Sequence, residues 1–233
     1  MASGPDYVFT RDYVDNNRIW LTDLSPRLPE TAQLDALDIS FDAVAPKEWL
    51  PSNVTLRQWN VKSDIPADLV GRYDVIHIRN FIFVLLDAEI PRVLGNLVKL
   101  LKPGGHLQWG EPDMLSWRIE TARPGVETPA LAQLMNLSQP QDPRLSPKWV
   151  PRLPDLFAAA GLSIVDSDIR EAPPAMALSM HECALQIHDL LAKTTKNEEV
   201  AQGLQQLLPR VQEETRQGAC WAFTRWTVVG KKA

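Results

Sequence analysis

A short stretch that ends in an acid is the first place where this chain carries residues suited to chemistry. The segment LDALDIS, 34–40, reads as a strand that ends at Asp38, and residues 19–28 before it have the spacing of a short amphipathic helix. A strand that ends in an acid after such a helix is typical of a nucleotide-binding βαβ unit. The alternative is a structural one, in which Asp38 or Ser40 caps a helix.

The glycine loop that such a unit needs is absent from its expected place. Glycines let the backbone approach a ligand, and the helix that follows offers its N-terminus to an anion. The sequence has no glycine between Gly4 and Gly71, and DNNR stands directly before the helix. The adjacent pair Gly104-Gly105 follows Lys102-Pro103 at the end of a predicted helix, so it does not replace the loop.

A second polar group lies on the predicted strand YDVIHIRNF, 73–81. His77 and Arg79 are two residues apart and therefore share a face of that strand. A histidine there can act as a base toward a substrate hydroxyl. The alternative is a core histidine that is hydrogen-bonded to a backbone carbonyl.

The surrounding elements predict a parallel sheet. Val75, Ile76 and Ile78 form a short β-branched run, which suits a strand buried on both faces. Residues 87–101 carry a helical stripe of apolar side chains, LKPGG ends that helix, and HLQWGEPD follows as a strand. Strand, helix and strand at this spacing predict a right-handed parallel crossover.

The remaining chain divides into an irregular part and a regular part. Seven prolines in residues 122–154 predict a long loop or lid with one helical turn near 131–137. Beyond it we predict a helix that Gly161 ends, a strand from Ser163, helices over 175–192 and 197–216, and a last strand over 220–229. We therefore expect an N-terminal segment, 1–18, and one domain, 19–233, with lid or insert elements at 122–154 and 175–216.

Composition limits the partners. The formal charge is −5 and the longest basic run is Lys231-Lys232, which argues against nucleic acid. No apolar run is long enough for a membrane span, and the N-terminus lacks a signal-peptide pattern.

Cys183 and Cys220 have no metal or disulfide spacing, so we expect free thiols and a cytoplasmic location. His181 and His188 lie seven apart on one helix face without a third ligand, so we expect a helix surface or lid contact and no metal.

In this order the elements resemble the class I S-adenosylmethionine-dependent methyltransferases, and most of all the fungal small-molecule methyltransferases of secondary metabolism. The turn LKPGG with the strand after it, and YDVI upstream, carry the resemblance, which covers roughly residues 19–230. It implies a doubly wound, Rossmann-like α/β sheet that is mostly parallel, with one antiparallel strand near its C-terminal end. Because strand and glycine loop are lacking before residue 19, the first strand of that sheet is expected to be missing or replaced.

The resemblance also implies the site. Asp38, followed by Ile39, matches the position that binds the ribose of S-adenosylmethionine. Asn60 and Val61 match the adenine position, where the family usually has an aspartate. Arg79 and His77 would lie near the amino-acid tail and the sulfonium, and Glu111, just past the fifth family strand, would face the substrate. A solvated loop acid is the alternative for Glu111.

The implied activity is methyl transfer to a small-molecule natural product, with cofactor binding weakened or lost. Two alternatives stay open: a methyltransferase fold that serves a non-methylating isomerase or cyclase, and a non-catalytic partner protein. In the family sheet the first strand lies between the second and fourth. Its loss would leave two edges to be repaired by residues 6–10, by direct pairing of those two strands, or by a homo-oligomer or partner chain that covers the incomplete sheet.

Overall fold

The computed structural model describes residues 20–42 and 44–233. The helices and strands, in chain order, are α1 (Trp20–Leu24), β1 (Leu34–Asp38), β2 (Val54–Gln58), β3 (Tyr73–Arg79), α2 (Ile90–Leu100), β4 (Leu101–Thr121), α3 (Pro129–Ser138), α4 (Leu153–Ala159), β5 (Leu162–Glu171), α5 (Pro174–Thr194), α6 (Glu198–Arg216) and β6 (Ala219–Lys232). None of these helices is both long enough and apolar enough to cross a bilayer.

The described strands form two separate sheets. β1 and β2 pair in parallel, and a four-stranded sheet has the order β3-β4-β6-β5. β3 and β4 are parallel, whereas β6 runs antiparallel to both of its neighbours. This is the predicted mixed α/β fold, mostly parallel up to β4 with an antiparallel strand at its C-terminal end.

The gap between the sheets lies where the family's first strand was expected. Because β1 and β3 belong to different sheets, direct pairing of these two strands is not how the structure repairs the gap. Residues 6–10, the predicted replacement strand, lie outside the described residues. Val75 of β3 is 65% exposed, so the prediction that β3 is buried on both faces was wrong at this residue.

The βαβ unit β3-α2-β4 follows the predicted pattern. The apolar stripe of α2 is buried, and Leu94 and Leu97 are at most 4% exposed. Gly104 has φ +77°, and a Cβ on Gly105 would lie 2.9 Å from the Lys102 carbonyl oxygen. Both glycines are therefore needed by the turn that leads into the sheet, at the entry of β4 and away from its carboxyl end.

Among the helices after β4, α6 packs against both α3 and α5, and for α3 the sequence prediction needed correction. Residues 129–138 form the ten-residue helix α3 rather than a single turn. The buried carboxylate of Glu214 accepts the backbone N–H groups of Ala130 and Leu131, each at 2.8 Å, and so caps the first turn of α3. This cap comes from α6, 84 residues further along the chain, so the local sequence does not reveal it.

Candidate functional site

The carboxyl ends of β1 and β2 lie side by side. Asp38 and Gln58, the last residues of the two strands, are paired in register. Asp38 Oδ1 accepts the backbone N–H of Ser40 at 3.1 Å, and the Gln58 amide donates to the Ile39 carbonyl at 3.0 Å. Asp38 is half-buried, and these two hydrogen bonds hold the turn that leaves β1.

The loop after β2 presents Asn60 at the same edge. Asn60 is exposed and its Oδ1 accepts the backbone N–H of Lys62 at 2.9 Å, while Val61 packs against the core. Trp59, just before them, is buried and donates its indole N–H to the Asp64 carbonyl at 3.1 Å. The loop is therefore closed by its own hydrogen bonds and anchored by a buried indole.

His77 and Arg79 lie on the other sheet. His77 Nδ1 is 2.8 Å from Oε1 of Gln108, its partner in register on β4. Burial lowers the pKa of His77, the Gln108 hydrogen bond opposes that shift, and the charge of Arg79 adds to it. Arg79 is exposed at the end of β3. Because the Gln108 amide oxygen accepts from Nδ1, Nε2 is the basic nitrogen of the neutral ring, and this atom is buried, whereas Arg79 offers an exposed guanidinium to an anion.

Glu111 lies inside β4 and is only 2% exposed, so neither the position past the strand nor a solvated loop describes it. Its Oε1 accepts the Phe81 N–H at 2.7 Å and the Trp109 indole N–H at 2.6 Å. Its Oε2 lies 3.4 Å from the backbone nitrogen of Ile82. Burial raises the pKa of Glu111 to about 8, against the opposing effect of these donors.

The turn after β3 explains why these donors converge on Glu111. Asn80 has φ +58°, a left-handed conformation that residues other than glycine seldom adopt, and its N–H donates to the Gly110 carbonyl at 3.2 Å. The kink aims the next two backbone N–H groups at the Glu111 carboxylate. Glu111 thus stabilises the backbone turn that follows β3. The sequence analysis did not predict this role.

The predicted residues therefore fall into two groups. Asp38, Ile39, Asn60 and Val61 lie at the edge of the small sheet, and His77, Arg79 and Glu111 lie within one strand pair of the large sheet. The sequence analysis did not select Gln108 as a site residue. Its strand alternates, so Gln108 and Gly110, two residues apart, could have been placed on the same face.

A side-chain network joins the two sheets across the gap. Asp35 Oδ2 accepts from Arg57 Nε at 2.6 Å, Arg72 Nε at 3.1 Å and the Tyr73 hydroxyl at 2.9 Å. Burial and the Asp35 carboxylate both raise the pKa of Tyr73, so the hydroxyl remains a donor. Residue spacing does not predict this network, since its members come from three different strands and a loop.

The two helical histidines are core residues, which corrects the predicted surface or lid contact. His181 is fully buried and His188 is 6% exposed, and their rings each lie 5.1 Å from the Trp221 ring. His181 Nε2 contacts Thr215 Oγ1 and His188 Nε2 contacts Ser138 Oγ, at 2.8 and 2.9 Å. Within the described chain no group of three or more His, Cys, Asp or Glu side chains is arranged for a metal ion.

Comparison with known proteins identifies relatives among fungal methyltransferases, although no protein-family model matches the chain. N-methyltransferase tcpN of Claviceps purpurea is 30% identical over 158 residues, 65% of this chain and 53% of that protein. N-methyltransferase verN of Clonostachys rogersoniana is 36% identical over 94 residues, 40% of this chain and 32% of that protein. Methyltransferase grgD of a Penicillium species is 34% identical over 109 residues, 42% of this chain and 36% of that protein.

Solved structures that superpose on the chain are more distant. The [4+2]-cyclase SpnF has a TM-score of 0.49 at 15% identity, over 91% of this chain and 79% of that one. Phosphoethanolamine N-methyltransferase 2 of Haemonchus contortus has a TM-score of 0.48 at 13% identity, over 91% and 45%.

The chain matches at most about half the length of the curated relatives named above. Their sequences confirm the resemblance to the fungal methyltransferases of secondary metabolism.

Proposed function

We propose that this chain binds S-adenosylmethionine and transfers its methyl group to a small-molecule natural product. The observation that carries the proposal is the pairing of Asp38 with Gln58, which brings the β1 carboxylate and the Asn60–Val61 loop to one edge of a parallel sheet. Adenosyl ligands bind at the carboxyl ends of parallel strands in such folds. The sequence relatives, which are named as methyltransferases, support the same reaction.

In this proposal each residue at the small sheet has one task. The Asp38 carboxylate accepts the ribose hydroxyls, and Ile39 provides apolar surface beside them. The Asn60 side-chain oxygen accepts the adenine amine, and the Val61 N–H donates to a ring nitrogen. Arg79, exposed at the end of β3, pairs with the carboxylate of the cofactor's amino-acid tail.

The reaction itself is an in-line displacement. The acceptor atom of the substrate forms a bond to the methyl carbon, the carbon–sulfur bond breaks, and its electron pair remains on sulfur. Most of the catalysis then comes from positioning. His77, whose lowered pKa keeps it neutral near pH 7, takes the proton that the acceptor atom loses. Glu111 is buried, so its part is to hold the backbone that follows β3, through its hydrogen bonds to the Phe81 and Ile82 N–H groups.

We propose in addition that cofactor binding is weak. A glycine loop would supply backbone donors to the amino-acid tail, and the sequence has no glycine between Gly4 and Gly71. Each hydrogen bond to a charged group contributes about 1.5–3 kcal/mol. The loss of one or two such bonds corresponds to an affinity weaker by about tenfold to about 20,000-fold, part of which Arg79 offsets.

The gap between β1 and β3 motivates a proposal about assembly. Among the described residues, β1 and β3 share no ladder, so one edge of each strand has no sheet partner there. We propose that a strand from a second polypeptide, another copy of this chain or a partner chain, completes the sheet. Light scattering of the purified chain tests this: a higher molar mass than that of one chain supports it, and a stable monomer with cooperative unfolding contradicts it.

Methyl transfer is tested directly with S-adenosylmethionine that carries a labelled methyl group. The purified chain is incubated with amine and phenol natural products of small size, and labelled product and S-adenosylhomocysteine are quantified together. We expect both to form in equal amounts, and we expect His77→Gln to lower the rate at least tenfold. Conversion of a substrate to an unlabelled isomer would instead support the isomerase or cyclase function, and would contradict methyl transfer.

A further inference from the structure

Asn96, a buried asparagine on α2, is one of the polar core residues that the proposed function leaves without a task. Asn96 is 8% exposed, and it lies in the middle of a helix, where asparagine is less favourable than most residues. Its side-chain nitrogen donates to the Val61 carbonyl at 2.8 Å and to the Ser63 carbonyl at 2.9 Å. Both hydrogens of one amide are therefore used on a single loop.

That loop is the one that follows β2. The Ser63 N–H donates to the Asn60 carbonyl at 2.8 Å, and the Lys62 N–H donates to Asn60 Oδ1 at 2.9 Å. Two ion pairs connect the same loop to the region of α2: Lys62 with Glu89 at 3.0 Å, and Arg92 with Asp64 at 3.6 Å. Both ion pairs include exposed atoms and are expected to contribute little.

Asn96 sets the direction of two peptide planes. A peptide group is planar, so a carbonyl that points toward α2 forces the next N–H to point away from it. The Val61 carbonyl is held toward α2, and the Lys62 N–H accordingly faces Asn60 Oδ1. The orientation of the Asn60 side chain is thereby tied to a hydrogen bond that begins on another element.

We propose that Asn96 is a positioning residue for adenine recognition, because it holds the Asn60–Val61 loop in the one backbone conformation that presents its polar groups outward. This inference rests on the proposed cofactor function. It assigns Asn96 no contact with the cofactor. Because Asn96 already orders the loop in the free chain, less conformational entropy is lost when the cofactor binds.

The test compares Asn96→Asp and Asn96→Ala with Glu214→Gln. Asp keeps the shape but turns two donors into acceptors that face the Val61 and Ser63 carbonyls. Ala removes the donors and improves helix propensity, so this variant folds even where Asp does not. Glu214→Gln is the matched control, since it weakens two buried hydrogen bonds to a remote helix, α3.

Two quantities are measured on folded protein: hydrogen exchange of residues 60–64 without ligand, and affinity for 5′-methylthioadenosine, which carries the adenine and ribose without the amino-acid tail. We expect both Asn96 variants to exchange at least tenfold faster in this loop and to bind at least tenfold more weakly. We expect the Glu214 variant to match the wild type in both.

Unchanged loop exchange or unchanged affinity in Asn96→Ala would overturn the assignment of Asn96 while the cofactor function stands. If the wild-type chain binds neither 5′-methylthioadenosine nor S-adenosylmethionine, the cofactor function is wrong and the role of Asn96 falls with it.

Discussion

Tyr73 donates its phenolic hydrogen to Oδ2 of Asp35 over 2.9 Å, and this bond joins two sheets that share no backbone ladder in the described part of the chain. The Asp35 side chain is only 6% exposed, and its Oδ2 also accepts from Arg57 and Arg72. Hydrogen bonds to a charged group that is largely removed from water are the stronger ones. A side-chain network thus connects β1 to β3 where a strand would otherwise do so.

Asp35→Asn should therefore lower the free energy of unfolding by about 2–3 kcal/mol, because a neutral amide replaces a charged acceptor of three donors. Asp74→Asn is the matched control: Asp74 bonds to Lys102 at 2.7 Å, but its side chain is 79% exposed. For such a surface pair we expect a change below about 1 kcal/mol. Urea unfolding of both variants gives the comparison, and equal losses would show that Asp35 does not join the sheets.

Glu111 should make the chain less stable as the pH rises. Its pKa is about 8 in the folded chain against 4.5 for a free side chain, so it keeps its proton when folded and loses it when unfolded. The unfolded state then binds fewer protons between about pH 4.5 and 8, and stability falls across that window, on the order of a few kcal/mol.

Glu111→Gln, which resembles the protonated acid, should remove this part of the pH dependence. The check is the free energy of unfolding of both proteins from pH 5 to 8. If the difference between the two free energies of unfolding does not change with pH, the Glu111 carboxyl is not protonated in the folded chain.

His181 should have the opposite effect on stability: it should lower the free energy of unfolding as the pH falls. Burial, and to a lesser extent His188, lowers the pKa of His181 from 6.5 to about 4. The neutral ring fits its surroundings, since Nδ1 lies 3.4 Å from the Trp221 backbone nitrogen and Nε2 is 2.8 Å from Thr215 Oγ1, which itself donates to the Val211 carbonyl. A second ring proton would face the Trp221 N–H.

The unfolded chain therefore takes up this proton below about pH 6.5 while the folded chain does not. Stability from this group is complete above pH 6.5 and is lost as the pH falls toward 4, by up to about 3 kcal/mol. His181→Gln should flatten that loss in denaturant titrations between pH 4 and 7. An identical acid-side slope in the variant and the wild type would contradict the buried, neutral state.

The sequence predicted those elements whose periodicity is local. The stripe of α2 followed from residue spacing alone, and Gly161, with φ +84°, ends its helix as expected. The strands were also predicted, although β4 runs from Leu101 to Thr121 and not only over 106–113. Contacts distant in sequence were not visible. Glu214 caps α3 from 84 residues away, Trp221 covers His181, and the Asp35 network draws on residues 57, 72 and 73.

The same limit applies to the candidate site. The places of Asp38, at the end of β1, and of Asn60, in the loop after β2, were predicted because a strand end is a local feature of the sequence. The surroundings of Glu111 were not predicted, because they depend on the left-handed turn at Asn80 and on an indole from Trp109.

The central claim is that Asp38 and the Asn60–Val61 loop bind S-adenosylmethionine. Isothermal titration of the wild type, Asp38→Ala and Asp42→Ala tests it most directly, since Asp42 is an exposed acid on the same stretch whose side chain accepts from the Ser40 hydroxyl. We predict weak but measurable binding by the wild type, at least tenfold weaker binding by Asp38→Ala, about 1.4 kcal/mol, and no change in Asp42→Ala. Equal affinities in all three proteins, or no binding by the wild type, would contradict the account.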